Sequence, residues 1–218
     1  MAPVANKEDS PNLILAGFMG TGKSALGRQL AKRWRRRFYD TDELVEKLAG
    51  VSIADIFAEH GEEHFRALER QVVEGLLPPN GAVIACGGGL VVPPGMGELV
   101  RSKGIVVTLF ASVDTILRRT AGNSRRPLLK GDDPEAKIRE LMKKREQAYM
   151  KAGIAVYTDG RSLQQLCVIV ERVYEREARA LLKSRVRAGA LELQDHAIAE
   201  GGVAHALAQA ERAGVLGQ

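Results

Sequence analysis

A glycine-rich segment near the start of the chain has the composition of a phosphate-binding loop. Residues 17–24 read Gly-Phe-Met-Gly-Thr-Gly-Lys-Ser, which matches the pattern G-x-x-x-x-G-K-[ST]. An apolar run precedes the segment and a helix-compatible stretch follows it, which is the context that such a loop needs. The glycines let backbone amides face a polyphosphate, and the N-terminus of the following helix adds positive partial charge. We therefore predict a nucleoside triphosphate site here.

The side chains of this segment suggest separate contacts with the nucleotide. Lys23 is expected to reach the β- and γ-phosphates, and the hydroxyl of Ser24 is expected to ligate Mg²⁺. A glycine-rich turn that binds nothing is the alternative, and both flanks argue against it. The loop does not identify the phosphate acceptor, because kinases, switches, transporters and helicases all use it. The predicted ATP-binding residues of the segment are Gly20, Thr21, Gly22, Lys23, Ser24 and Ala25.

Two carboxylates follow the second apolar run, where the sequence reads Phe38-Tyr39-Asp40-Thr41-Asp42. In an extended segment, residues two apart face the same side, so Asp40 and Asp42 are expected to point into one space. One carboxylate would hold the water shell of a metal, and the other would accept a proton or hydrogen bond from the acceptor hydroxyl. The alternative is that Asp42 or Thr41 caps a helix beginning at Glu43, which is compatible with a chemical role.

Arginines at scattered positions are candidates for binding anions. Arg66 and Glu69 would be neighbours on a helix, although in isolation this spacing favours a solvated surface pair. Arg126 lies in a loop-like segment and is predicted to neutralise charge on the transferred phosphoryl group. Arg145 follows on a helix-compatible stretch, and its planar guanidinium suits the bidentate capture of a carboxylate.

Three consecutive glycines, Gly87, Gly88 and Gly89, follow the third apolar run. Such a triplet allows the backbone to approach a ligand closely, and its amides can hydrogen-bond that ligand. No aspartate ends this strand, so the usual acidic partner of Mg²⁺ in such proteins is missing here, which favours Asp40 as the metal group acting through water. Cys86 is interpreted as a small residue at the edge of the core.

The elements that would position these residues alternate between short apolar runs and longer charged stretches. Strands alternating with helices predict an α/β fold with a parallel sheet that is covered on both faces. Residues 122–134 have the composition of a surface loop. The predicted strands are 13–16, 38–39, 83–85, 105–110 and 155–158, and the predicted helices are 23–36, 42–49, 53–77, 112–121, 134–151 and 162–183.

Bulk composition narrows the class of protein. The chain has 218 residues, 45% of them hydrophobic, which suits one domain, or one domain plus an appendage. No apolar run approaches the roughly 18 residues needed to cross a bilayer, so we expect a protein that does not bind a membrane. The two cysteines form no disulfide framework, and we expect the protein to be cytoplasmic. A net charge of +5 and the run Arg33-Trp34-Arg35-Arg36-Arg37 leave nucleic-acid binding open, but this run is better explained as a solvated helix end.

Taken together, these motifs resemble the shikimate kinase family over about residues 12–175. The phosphate-binding loop is widespread, but the set that accompanies it in this order is specific to the family. The set consists of Asp40-Thr41-Asp42, Phe65-Arg66 with Glu69, Gly87-Gly88-Gly89, Arg126-Pro127-Leu128-Leu129, and Arg145 with Tyr149.

The resemblance implies a three-layer P-loop kinase fold, similar to that of nucleoside monophosphate kinases, with a five-stranded parallel sheet and a lid over about residues 119–134. It implies transfer of the γ-phosphoryl group of ATP to the 3-hydroxyl of shikimate, on the chorismate route to aromatic amino acids, with one Mg²⁺ ion. We expect a monomer without nucleic-acid partners. The expected organisation is a flexible arm over residues 1–11, a kinase domain over 12–178 and an extension of unknown role over 179–218.

The resemblance also implies roles for individual residues. Asp42, Lys23 and Arg126 are expected to be catalytic, with Asp42 favouring the attacking hydroxyl. Arg119 resembles the adenine-stacking residue of the family, and Arg161 lies in its adenine-side loop; Arg126 is also expected to contact ATP. The expected substrate-binding residues are Asp42, Arg66, Gly87, Gly88, Gly89 and Arg145, and the expected metal-binding residues are Ser24 and, through water, Asp40.

Two other functions remain open at this point. A kinase for another small metabolite, such as a gluconate kinase, would share the phosphate-binding loop but would have less need for two arginines facing a carboxylate. A nucleotide-dependent regulatory protein would leave Asp40, Asp42 and Arg126 without a clear purpose. The sequence departs from the family at Met150 and Lys151, where an acidic residue often follows the tyrosine.

Overall fold

The computed structural model of the protein describes residues 10–120 and 133–184. The chain divides into two units, Met1–Glu175 and Arg176–Gln218. In the second unit the described residues, 176–184, are helical, and Arg176 Nε lies 2.8 Å from Glu177 Oε1. In the described residues, no helix combines the length and the apolar character needed to cross a membrane.

The first unit is built around a parallel sheet of five strands in the order β2-β3-β1-β4-β5. The central strands are nearly continuous runs of buried aliphatic residues, as expected for a parallel sheet with helices on both faces. The fold class predicted from the alternating pattern is therefore confirmed. The strands are β1 (Asn12–Gly17), β2 (Arg37–Asp40), β3 (Ala82–Ala85), β4 (Gly104–Phe110) and β5 (Ile154–Tyr157).

Helices connect the strands. A π-helical segment, Val72–Leu76, continues the third helix, and that helix is interrupted at Gly61, whose backbone is not helical (φ 78°, ψ −176°). The helices are α1 (Lys23–Trp34), α2 (Thr41–Ala49), α3 (Ile53–Gln71), α4 (Met96–Ser102), α5 (Val113–Thr120), α6 (Pro134–Ala152) and α7 (163–184).

One helix, α4, is absent from the helices predicted from the sequence. The short helix α4 begins immediately after Pro93, Pro94 and Gly95. Gly95 adopts a left-handed conformation (φ 78°) and precedes the first helical residue, Met96. Seven residues are too few to display a helical period in the sequence.

The order of the strands determines which loops meet. Strands β2, β3 and β1 are neighbours and run parallel, so their carboxyl ends lie side by side at one edge of the sheet. The glycine-rich loop follows β1, the Asp40-Thr41-Asp42 segment ends β2, and the glycine triplet follows β3. Three segments that are distant in sequence are thereby brought to one place, where open parallel sheets bind their ligands.

Candidate active site

The glycine-rich loop is held in shape by its own backbone carbonyls. Gly20 and Gly22 both have left-handed φ angles, 78° and 99°, which residues with a side chain rarely adopt. The Lys23 amine is buried and donates hydrogen bonds to the carbonyls of Gly17 (2.8 Å) and Phe18 (2.9 Å). The loop is thus preformed around an ammonium group at the N-terminus of α1, a favourable place for an anion.

Ser24 and Asp40 meet at the start of this helix. The Ser24 hydroxyl donates a hydrogen bond of 2.8 Å to Asp40 Oδ2, while Asp40 Oδ1 accepts one of 3.1 Å from the amide of Asp42. A hydroxyl and a carboxylate oxygen are hard donors that suit Mg²⁺, which keeps several waters and phosphate oxygens as its remaining ligands. The pair therefore fits the metal that the sequence suggested.

The position of Asp40 corrects two details of the sequence-based interpretation. Asp40, and not Thr41 or Asp42, caps the second helix, which begins at Thr41 and not at Glu43. Asp42 is therefore helical, and the two carboxylates do not share an extended segment. They still lie at the same edge of the sheet, but Asp40 contacts Ser24 whereas Asp42 faces the glycine triplet.

Each glycine of the triplet lies against a different part of the site. A Cβ placed on Gly87 would lie 2.2 Å from Asp42 Oδ1, and one on Gly89 would lie 3.0 Å from Arg66 Nη1. A Cβ on Gly88 would lie 3.3 Å from the backbone nitrogen of Met19, in the glycine-rich loop. The missing side chains therefore make the room in which the carboxylate, the guanidinium and the phosphate-binding loop come together.

Thr41 orients the first of these glycines. Its side chain is fully buried, and its hydroxyl accepts a hydrogen bond of 2.7 Å from the amide of Gly87. Sequence reasoning considered Thr41 only as a helix cap and missed this contact. The signal that could have found it is a hydroxyl residue between two carboxylates, at the end of a strand that neighbours the glycine triplet.

Arg66 is clamped by two carboxylates on α3. Its guanidinium donates to Glu69 Oε2 at 2.6 Å and to Glu62 Oε1 at 2.8 Å. Glu69 is only 2% exposed, so the surface pair favoured by spacing alone is wrong: this carboxylate lies inside the protein. Burial by itself would lower the pKa of Arg66, but the attraction of Glu69, with hydrogen bonds to Glu69 and Glu62, raises it.

The buried carboxyl of Glu69 has an unusual pKa. Burial raises the pKa of Glu69 to about 7, the Arg66 guanidinium opposes this rise, and the nearby negative charge of Asp42 adds to it. Glu69 Oε1 lies 3.4 Å from the Cβ position of Gly87, so two carboxylates border the same glycine. Their repulsion and the burial of Glu69 both raise its pKa, against the attraction of Arg66.

Arg145 and Tyr149 lie one turn apart on α6 and face the same region. Tyr149 is buried, and its hydroxyl donates a hydrogen bond of 2.5 Å to the carbonyl of Gly88. The Arg145 side chain is half-buried, opposes the rise of the Tyr149 pKa, and lies 5.9 Å from the centre of the Phe18 ring. The structure thus places this arginine beside the glycine triplet and the phosphate-binding loop.

The other residues predicted to bind ATP are Arg119, at the end of α5, Arg161, which follows β5, and Arg126. Arg119 Nη1 lies 3.3 Å from the carbonyls of Gly20 and Thr21 and 3.2 Å from Thr158 Oγ1. Arg161 is exposed and donates to the carbonyl of Tyr157. Arg126 lies outside the described residues.

A cavity of about 300 Å³ lies beside this arrangement, between the end of β4 and α6. Phe18, Thr21 and Tyr149 line its inner side. Asp42, Arg66 and Arg145 do not line it, so this cavity adjoins the candidate site without containing those charged groups.

Comparison with known proteins decides the family. The family model described as shikimate kinase matches residues 19–176. The chain belongs to the shikimate kinase family. It is therefore an ATP-dependent kinase with the P-loop fold, as the motifs predicted.

Curated relatives and solved structures agree with this family. The shikimate kinase of Geobacter sulfurreducens is 43% identical over 72% of this chain and 87% of its own length. That of Deinococcus radiodurans is 45% identical over 75% of this chain and 82% of its own length. The shikimate kinase from Acinetobacter baumannii, solved in complex with shikimate, superposes with a TM-score of 0.74 at 34% identity, covering 78% of this chain and 96% of its own.

A gluconokinase from Sinorhizobium meliloti also resembles this family member in structure, with a TM-score of 0.50 at 14% identity, covering 80% of this chain and 97% of its own. At that identity the likeness shows a shared fold and nothing about the substrate.

Proposed function

We propose that this chain transfers the γ-phosphoryl group of ATP to the 3-hydroxyl of shikimate, giving shikimate 3-phosphate and ADP. One observation carries the proposal. Asp42 borders Gly87 and Arg66 borders Gly89, while Gly88 between them touches the phosphate-binding loop at Met19. Three groups therefore lie close together: a carboxylate that can bind a hydroxyl, a guanidinium that can bind an anion, and a loop that can bind phosphate. The relative solved with shikimate supports the choice of acceptor.

The nucleotide is proposed to bind along the loop of residues 17–24. The amides of Gly20 to Ala25 at the start of α1 would face its phosphates, and Lys23 would exchange its carbonyl partners for phosphate oxygens. Arg119 and Arg161 are proposed to border the adenine, and Arg126 to meet the transferred group. Ser24 and, through water, Asp40 would hold Mg²⁺. When bound, this ion would neutralise charge on the phosphates.

The acceptor is proposed to lie between the glycine triplet, Asp42 and the two arginines. Arg66 and Arg145 would bind its carboxylate, and Asp42 would orient the 3-hydroxyl and accept its proton. The hydroxyl oxygen forms a bond to the γ-phosphorus as the bond from that phosphorus to the bridging oxygen breaks, and ADP leaves with the bonding pair. Positioning and neutralisation of charge supply most of the rate in such a transfer.

The clamp on Arg66 gives this proposal a specific physical basis. A flexible arginine loses conformational freedom when it binds a ligand, which weakens binding. Glu69 and Glu62 already hold the guanidinium in one place, at 2.6 and 2.8 Å. An acidic substrate would therefore meet a preorganised cation.

Two buried, unpaired cysteines, Cys86 and Cys167, support the cytoplasmic location that we propose. Free thiols are typical of proteins in a reducing compartment.

A coupled assay of ADP release tests the function. Turnover of ATP should require Mg²⁺ and be strongly accelerated by shikimate, but not by gluconate or nucleoside monophosphates. Lys23→Ala is the control for the nucleotide site and should lower the rate well beyond about tenfold, the equivalent of 1.4 kcal/mol. Turnover with gluconate and none with shikimate would overturn the assignment of the acceptor.

A further inference from the structure

Tyr149 occupies the junction between the arginine of α6 and the glycine triplet. It is 3% exposed, and its hydroxyl donates to the carbonyl of Gly88 at 2.5 Å. The guanidinium of Arg145, one helical turn earlier, lies close enough to the same hydroxyl to oppose the rise of the Tyr149 pKa on burial. A guanidinium has only donors, so it can approach the hydroxyl oxygen while the hydroxyl proton goes to the carbonyl of Gly88. The hydroxyl therefore stands between the guanidinium of Arg145 and the backbone carbonyl of Gly88.

Gly88 is the glycine whose position affects both halves of the site. It lies against Met19 of the phosphate-binding loop, and its neighbours Gly87 and Gly89 border Asp42 and Arg66. A glycine segment has more backbone freedom than any other, so a defined conformation needs external contacts. The hydrogen bond from Tyr149 is one of these contacts, and the bond from the amide of Gly87 to Thr41 is another.

We propose that Tyr149 is a positioning residue for the acceptor, setting the guanidinium of Arg145 and the backbone of Gly88 through one hydroxyl. This inference rests on the proposed function, because it assumes that Arg145 meets the carboxylate of shikimate. Tyr149 is proposed to touch neither substrate and to act through Arg145 and Gly88. Burial raises the pKa of Tyr149, with Arg145 opposing the rise, which keeps the hydroxyl protonated as a donor.

The simplest competing explanation is that Tyr149 only stabilises the fold. The protein offers a matched control, because the Tyr174 hydroxyl also stands between an arginine and a backbone carbonyl, at a different place. Arg36 Nη1 donates to the Tyr174 hydroxyl at 2.8 Å, and that hydroxyl donates to the carbonyl of Pro11 at 2.6 Å. Tyr174 is buried to a similar degree, 6% exposed, but Pro11 precedes β1, so this copy lies at the opposite edge of the sheet.

Steady-state kinetics of Tyr149→Phe and Tyr174→Phe separate the two explanations. Tyr149→Phe should raise KM for shikimate about tenfold, because Arg145 and Gly88 lose their shared partner. KM for ATP and kcat should stay within about twofold of the unmodified enzyme, a split that a general loss of packing would not produce. Tyr174→Phe should lower the midpoint of thermal unfolding about as much as Tyr149→Phe does, but it should leave both KM values unchanged.

A double-mutant cycle with Arg145→Ala tests the link between the two side chains. If Tyr149 acts partly through Arg145, its removal should raise KM for shikimate by less in the Arg145→Ala background than in the unmodified enzyme. Fully additive effects would overturn the role through Arg145.

Other outcomes also decide the question. An equal rise of both KM values, or the same shikimate effect from Tyr174→Phe, would overturn the proposal. Should Tyr149→Phe fail to fold, Tyr149→His keeps a ring with a shorter polar end and should again raise KM for shikimate selectively. Failure of both variants to fold, with Tyr174→Phe folded, would make the role structural. Absence of shikimate turnover in the unmodified enzyme would instead refute the function on which the inference rests.

Discussion

Gly87 leaves the space that the carboxylate of Asp42 occupies. A Cβ at this glycine would lie 2.2 Å from Asp42 Oδ1, far inside the contact distance of two heavy atoms. The atom in the way is the end of a side chain and not backbone, so an added methyl group would displace the carboxylate without breaking the fold. The residue type at position 87 thus controls where the proposed base points.

Gly87→Ala should therefore reduce activity far more than stability. We expect kcat to fall by about a hundredfold, the order of effect of a mispositioned general base, while the unfolding midpoint changes little. Gly75→Ala is the matched control, because a Cβ at that position would meet no atom within 4 Å apart from its own local backbone and chain neighbours, and it should behave as the unmodified enzyme. Full activity in Gly87→Ala would show that catalysis does not require the Asp42 carboxylate to occupy its place beside Gly87.

Asp42→Asn should lower kcat by about a hundredfold or more, because the amide cannot accept the proton of the hydroxyl. The affinity for ATP, measured by equilibrium binding, should survive, since Ser24 and Asp40 form the hydrogen-bonded pair at the start of α1. An equal loss of ATP binding would place Asp42 in the metal site instead.

The raised pKa of Glu69 predicts that the stability of the protein depends on pH. Its pKa rises from an ordinary value of 4.5 to about 7 in the folded protein. Between pH 4.5 and about pH 7, Glu69 is protonated in the folded state but ionised in the unfolded state. The contribution of Glu69 to the free energy of unfolding is therefore fully present below pH 4.5 and is lost as pH rises through 7.

Denaturant unfolding at a series of pH values checks this prediction. Glu69→Gln should remove the change of the free energy of unfolding with pH that lies between pH 4.5 and about pH 7. Glu62→Gln changes the other, exposed partner of Arg66 and should retain that dependence on pH. Parallel curves for the unmodified protein and Glu69→Gln would show that the carboxyl stays ionised throughout.

Shortened chains test where the kinase domain ends, which we propose is near residue 178. A chain ending at residue 180 should keep kcat and both KM values within about twofold. A chain ending at 170 loses Glu171 and Tyr174, which bind Trp34 and Arg36, and should lose about 2 kcal/mol or more. Emission of Trp34, the single tryptophan, follows the unfolding. Insolubility of the longer chain would show that the removed residues pack on the domain.

The alternation of apolar runs and charged stretches was sufficient to predict the strands and most of the helices, because buried parallel strands and covering helices have strong local patterns. It was not sufficient for α4, which is too short to show a period, or for the interruption of α3 at Gly61, where a single glycine inside a helical pattern indicates little.

The sequence by itself determined the chemistry that is available: a phosphate-binding loop, carboxylates after the second strand and a glycine triplet after the third. These features depend on neighbouring residues and on the backbone freedom of glycine, so they can be recognised locally. Only the tertiary structure decided that Asp42 faces Gly87, that Glu69 is buried, and that Tyr149 reaches Gly88 across 61 positions of sequence. Those relationships follow from the order of the strands and from the burial of helix faces against them, which are properties of the whole folded domain.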